Sequence, residues 1–176
     1  MSRLPTVKRE DLSEADHHAW DEIARTHRGS VAGPFSALIH VPPMGLRVSE
    51  LEGYFRFEGQ LSPADRELIV CTVTKHHGAV FPYQIHDNLA REAGTRAEAL
   101  QVVASGSDVA GLTSRETLLI ELARELCKRS TLSPESYDRA KEELGEKVLV
   151  EAVTLCGHYT MISFVANSFE ILPPPR

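Results

Sequence analysis

The chain has 176 residues, of which 42% are hydrophobic and 25% charged, and its formal net charge is −6. That length and balance suit one domain spanning residues 1–176, and an acidic chain without a basic stripe excludes the phosphate neutralisation on which nucleic-acid binding depends. The polar start lacks an apolar signal segment, and three widely spaced cysteines, Cys71, Cys127 and Cys156, fit a reducing cytoplasm better than a secreted disulfide framework.

Taken in chain order, helix signals dominate. Ser13 is a cap residue for a first helix at 14–26. Helices at 34–40 and 43–59 follow. Ser62-Pro63-Ala64-Asp65 sets a cap hydroxyl, a proline for the first helical position and an acid in the first turn of a helix at 63–77. Gly78 breaks the chain before a helix at 81–93. Thr95 with Glu98 and Thr113 with Glu116 match the capping box, opening helices at 95–104 and 114–129. Ser105 to Leu112 is a Gly- and Ser-rich linker. Ser133-Pro134-Glu135 starts a helix at 134–144, and Gly145 separates it from a last one at 146–170. The apolar stretch Val148–Leu172 carries Glu151, His158, Asn167 and Glu170, so it reads as a core helix and not a membrane span. Pro173-Pro174-Pro175 forms an extended tail. No sustained period-two alternation signals a strand. The expectation is an all-α bundle whose centre is an antiparallel pair, near 63–77 and 81–93.

Chemistry concentrates between Leu61 and Gly94, where Glu67, Cys71, Lys75, His76, His77, Tyr83, His86 and Asp87 occur. A break at Gly78 folds the two helices back on each other and can bring the Glu67 carboxylate to the His86 imidazole. Such a pair suits general acid–base work, because imidazole titrates near neutrality and a carboxylate orients the ring. Tyr83, one turn before His86, can donate to a substrate oxyanion; packing is its competing role. Cys71, one turn from Glu67, reads as a core cysteine beside the site, since a neighbouring carboxylate opposes thiolate formation. His158, on an apolar helix, reads as a core histidine able to approach His86. His40 can line the same cleft. His76 and His77 sit at a helix end whose dipole favours imidazolium. No His-x-x-x-His or Cys-x-x-Cys spacing supports a metal site.

Several segments resemble one family. Leu61-Ser-Pro-Ala-Asp-Arg-Glu67-Leu and His86-Asp-Asn-Leu-Ala-Arg-Glu-Ala-Gly94 resemble the central signature of carboxymuconolactone decarboxylases and alkyl hydroperoxidase D proteins, with the family's Glu-to-His spacing of 19 kept between Glu67 and His86. Gly33-Pro34-Phe35 and the run from Gly157-His158-Tyr159 to Asn167 and Phe169 resemble its outer motifs. The resemblance covers nearly the whole chain, with a core motif at about 43–129. Its two peroxidase cysteine positions fall on Ala79 and Pro82, so the dithiol mechanism lacks its thiols. Cysteine-free relatives carry Glu-Trp where this chain has Pro82-Tyr83.

The resemblance implies a homo-oligomer, trimer or hexamer, and a small-molecule substrate, with no membrane or nucleic-acid partner. It implies a cofactor-independent, metal-free decarboxylase, isomerase or hydrolase acting on a small lactone, keto acid or similar carbonyl compound. His86, Glu67 and Tyr83 are the catalytic candidates, and His158, His40 and Cys71 the substrate-binding ones. Two rivals remain: a peroxide-reducing enzyme, and an oligomeric binding protein without catalysis.

Overall fold

Hydroxyl–proline pairs decide where two of the longest helices begin. In the computed structural model, which describes residues 2–173, the Ser62 Oγ accepts from the Asp65 amide at 3.2 Å, with Pro63 in the first turn. The Ser133 Oγ accepts from the Ser136 amide at 3.2 Å ahead of Pro134. Thr113 and Glu116 form the full reciprocal box. Each cap satisfies amide donors that a helix start otherwise leaves open.

Among the described residues eight α-helices result: α1 (His17–Thr26), α2 (Phe35–Leu38), α3 (Pro42–Phe57), α4 (Pro63–His76), α5 (Val80–Glu92), α6 (Ala97–Ser105), α7 (Ser114–Arg129) and α8 (Pro134–Ser168). Two short 3₁₀ turns, Arg9–Asp11 and Glu14–Asp16, precede them, and no strand occurs among the described residues. The fold is all-helical, as expected. Two helices predicted at 134–144 and 146–170 run on as α8, but Gly145 inside it is non-helical at φ 74° and ψ 163°, so the expected break is there as a kink.

Two caps differ from expectation. The Ser13 hydroxyl donates to the Asp16 carboxylate at 2.7 Å and caps no amide, so a 3₁₀ turn comes first and α1 starts at His17. Thr95 is spent closing the previous helix: its amide donates to the Ala90 carbonyl at 2.9 Å and its hydroxyl to the Ala64 carbonyl at 3.3 Å. α6 therefore opens after Arg96 with no side-chain cap. The predicted proline tail lies, from Pro174 onward, outside the described residues.

α4 is the axis. Every residue from Glu67 to Thr74 is buried, and α4 packs against α5, α6, α7 and α8. Leu68, Ile69, Val70 and Val73 meet Leu119, Ile120 and Leu155 in one continuous core. At the end of α4, Gly78 takes φ 63°, a left-handed conformation that β-carbon-bearing residues resist. The chain then reverses into α5, which returns along α4 as its antiparallel partner.

α8 is long and apolar enough to cross a membrane by length and composition, yet 50% of its most apolar window is buried in the molecule. Its inner face carries Ala152, Leu155, Cys156, His158, Tyr159 and Ile162. Its buried Glu151 holds the α3–α4 connection in place. Glu151 accepts from the Tyr54 hydroxyl at 2.8 Å, the Gln60 amide at 2.7 Å and the Leu61 amide at 3.3 Å. Charge-assisted bonds of this kind are the stronger ones. Glu151→Ala strands two backbone donors and should lower unfolding free energy by about 2–4 kcal/mol. Urea denaturation measures it, and Glu151→Gln, which keeps an acceptor, should lose less.

Candidate functional site

Glu67 sits in the second turn of α4, facing α5, and is 2% exposed. His86 reaches it from the middle of α5, with Nδ1 2.6 Å from Glu67 Oε2. The other carboxylate oxygen is held by its own neighbour: Arg66 Nε donates to Oε1 at 3.0 Å, and Arg66 Nη2 lies 2.9 Å from it. Burial pushes the Glu67 carboxyl up, but His86 and Arg66 outweigh it and hold the group below the usual carboxylate range. An ionised carboxylate can only accept, so His86 Nδ1 carries a proton. The Tyr159 ring stands edge-on to His86, centroids 4.9 Å apart, and fixes its tilt.

His86 lines a cavity of about 250 Å³ that opens to the surface. Phe81, Ile85 and Leu89 of α5 supply an apolar wall; His27, Arg28, Glu52 and Arg56 supply the polar one. Arg56 ties α3 to the end of α1 through the Thr26 carbonyl at 2.9 Å, placing His27 over the opening. His27 Nε2 lies 3.3 Å from Ser49 Oγ, its Nδ1 lies 3.6 Å from Glu52 Oε1, and its ring lies 4.0 Å from the Phe35 ring. Burial lowers the His27 pKa, and Glu52 only partly offsets it.

The Gly33-Pro34-Phe35 motif shapes this wall. Gly33 has φ +59°, and a β-carbon there would lie 2.3 Å from Phe81 Cε1. Only glycine lets the loop before α2 pass so close to the ring.

The sequence-derived candidates separate in space. Glu67 and His86 meet. His158 lies behind the cavity, fully enclosed, with Nε2 3.8 Å from Glu52 Oε2 and neither ring nitrogen hydrogen-bonded. Its ring packs against Phe55 and Tyr159. The other three do not join the His86 cavity. Tyr83 lines a different opening, of about 560 Å³, with Lys75 Nζ 5.5 Å from its ring centroid, because it stands in the first turn of α5, one turn nearer the end of α4 than His86. His40 is exposed, and its Nε2 pairs with the Pro5 carbonyl at 3.1 Å instead of lining the cleft. Cys71 is 0% exposed in the core; burial first, then Glu67, pushes its thiol well above the usual range.

His77 also departs from expectation. Its Nε2 bonds Thr160 Oγ1 at 3.1 Å, its carbonyl accepts from Asn167 Nδ2, and burial lowers its pKa, so packing to α8 outweighs the helix dipole. The His76 ring meets His77 edge-on, centroids 5.1 Å apart.

Glu52, His27, Arg66 and Arg56 were missed by the sequence reading. Arg66 stands inside the recognised Arg-Glu-Leu run. Ser49, Glu52 and Arg56 fall at i, i+3 and i+7 on α3, a polar stripe that a search for apolar faces assigns to solvent. Here Ser49 and Glu52 are buried, while Leu51, Tyr54 and Phe57 point outward.

No protein-family model matches the chain, and no curated protein does. Among solved structures, an uncharacterized peroxidase-related protein from Ralstonia eutropha JMP134, described as an alkylhydroperoxidase AhpD core, superposes with a TM-score of 0.80. The match covers 98% of this chain and 92% of that one, at 18% identity. The chain has the AhpD core fold. Within that AhpD core, Ala79 before α5 and Pro82 in its first turn are both buried, and neither carries a thiol. All three cysteines are unpaired. Cys127 is half-buried, with its thiol pushed up to about 11 by burial, and Cys156 is buried and pushed higher still.

Two outcomes follow from these environments. A disulfide-exchange thiol reagent should leave Cys71 and Cys156 unmodified in the native protein and label all three cysteines in guanidinium; mass spectrometry counts the adducts. The second concerns acid. Folded Glu67, Glu52, His27 and His77 all bind protons less readily than in the unfolded chain, so the unfolded state takes up more protons as pH falls, and stability falls with it. The histidine part is present above about pH 6.5 and is lost below it, and the carboxylate part is lost below about pH 4.3. Calorimetric Tm should drop between pH 7 and 5, and the double variant His27→Gln/His77→Gln should flatten that decline.

Proposed function

We propose that the protein is a cofactor-independent acid–base enzyme, a decarboxylase, isomerase or hydrolase acting on a small lactone, keto acid or related carbonyl compound. The observation that carries this reading is the 2.6 Å contact between Glu67 and His86 Nδ1 at the edge of a cavity lined by His86 itself. Glu67 orients the ring and balances its charge, so Nε2 exchanges a proton with a substrate in the cavity. A volume of about 250 Å³ suits a molecule of roughly ten heavy atoms or fewer. The His27, Arg28 and Arg56 side favours a polar or anionic carbonyl group, and Phe81, Ile85 and Leu89 a short apolar body. Self-association, which the sequence resemblance implies, would bury the exposed apolar side chains of α8: Val150, Val153, Met161 and Phe164.

The test is a panel of small lactones and keto acids incubated in D₂O and followed by NMR for deuterium uptake, ring opening or carbon dioxide loss. Wild type turns over at least one of them. His86→Gln lowers the rate about 100-fold or more. Glu67→Gln, which weakens the grip on Nδ1, lowers it less. Turnover unchanged in His86→Gln, or absent for every member, overturns the reading.

The second reading is peroxide reduction, favoured by the peroxidase-related description of the structural neighbour. It would have to use Cys71, the thiol one turn from Glu67. Peroxide consumption with a dithiol donor, abolished by Cys71→Ser and untouched by His86→Gln, would establish it in place of the first.

A further inference from the structure

Glu52 is 8% exposed, on the inner face of α3, and lines the same cavity as His86. It receives no hydrogen bond from any described residue. Its nearest charged partners, His27 Nδ1 at 3.6 Å and His158 Nε2 at 3.8 Å, are too distant to donate one. A buried carboxylate without a donor is costly, and the protein interior rarely leaves one so. The cavity that it lines is where a donor can reach it. Glu67 differs, because both its oxygens are occupied, one by Arg66 and one by His86. Of these two carboxylates at the cavity, Glu67 can only orient, whereas Glu52 can accept a proton from what enters.

Ionisation supports this geometry. Burial pushes the Glu52 carboxyl up, but the imidazoles of His158, His27 and His86 outweigh it and hold the group below the usual range. At neutral pH it is a carboxylate whose neighbouring imidazoles, His158 and His27, stand at 3.8 and 3.6 Å.

We propose that Glu52 is a second proton-transferring residue of this cavity, acting with His86 on one substrate, so that the reaction moves a proton from one carbon to another in a small unsaturated carbonyl compound. This assignment rests on the acid–base reading above and narrows it to isomerisation. Glu52 takes a proton from the carbon beside the carbonyl. The C–H electron pair becomes the π bond of an enolate conjugated with the substrate's existing double bond. His86, protonated at Nε2, gives its proton to the far carbon, and the double bond moves into conjugation. Glu52 is left protonated and His86 neutral. Transfer of one proton between them, through water in the cavity, resets the pair. No oxidant, reductant or cofactor enters the balance.

The probe is α-angelica lactone, a five-membered lactone whose ring double bond lies out of conjugation with its carbonyl. In D₂O, NMR separately reads deuterium entering beside the carbonyl and conversion to the conjugated isomer. Wild type should do both. Glu52→Gln should lose exchange beside the carbonyl by about 100-fold or more, whereas His86→Gln should keep that exchange and lose conversion by a similar factor. Added formate should restore exchange to Glu52→Ala, because it supplies a carboxylate in the space the side chain vacates; this arm holds even if Glu52→Gln folds poorly. Full exchange in Glu52→Gln, or loss in Glu52→Ala that formate does not restore, overturns the assignment to Glu52 while His86-dependent turnover leaves the acid–base reading standing. No reaction of wild type with this lactone or any member of the panel overturns both.

Discussion

A carboxylate at the heart of a helical bundle must be neutralised on every side, and the arrangement around Glu67 follows from that demand. Adjacent residues on a helix do not normally face each other, yet the Arg66 guanidinium folds back onto Glu67 Oε1. The second oxygen needs a donor from another helix, and His86 is that donor. The α4–α5 turn must therefore be short and tight enough to set residue 86 opposite residue 67, and Gly78 with its positive φ makes it so. Tyr159 from α8 closes the remaining flank of the imidazole. Three helices, α4, α5 and α8, are thereby held in register around one buried charge. Breaking such a pair from one side typically costs about 3–5 kcal/mol, which explains why so much of the molecule's geometry converges there.

Much of this architecture was legible in the sequence because its signals are local. Ser62-Pro63, Ser133-Pro134 and the Thr113–Glu116 box are decided within one turn of chain, and all three caps form. The Glu67–His86 contact could be anticipated because a single short turn joins the two helices. Reading failed where a residue's partner lay far along the chain. Thr95 had a competing task in finishing α5. His40 found a carbonyl at Pro5. Tyr83 shares a helix with His86, but it stands one turn nearer the α4–α5 connection and lines another opening. Glu52 and His27 meet only because α1 packs along α3, and nothing in either segment alone announces it.

The AhpD core fold stands here without a thiol between α4 and α5. Buried Ala79 and, in the first turn of α5, buried Pro82 pack in that region instead. What the fold retains is a cavity with titratable walls. Its polar residues come from the N-terminal helices α1 and α3 as well as from the central pair, so the site is assembled across the chain and not from the motif alone.

α3 buries Ser49 and Glu52 beside the core residue Phe55, while Met44, Leu51, Tyr54 and Phe57 meet the surface. The two sides of this one helix therefore answer to different demands. Drift on the outer side is governed by whatever covers the molecule there, and drift on the inner side by the contents of the cavity. A helix so divided can change its company without changing its chemistry, and the reverse holds equally.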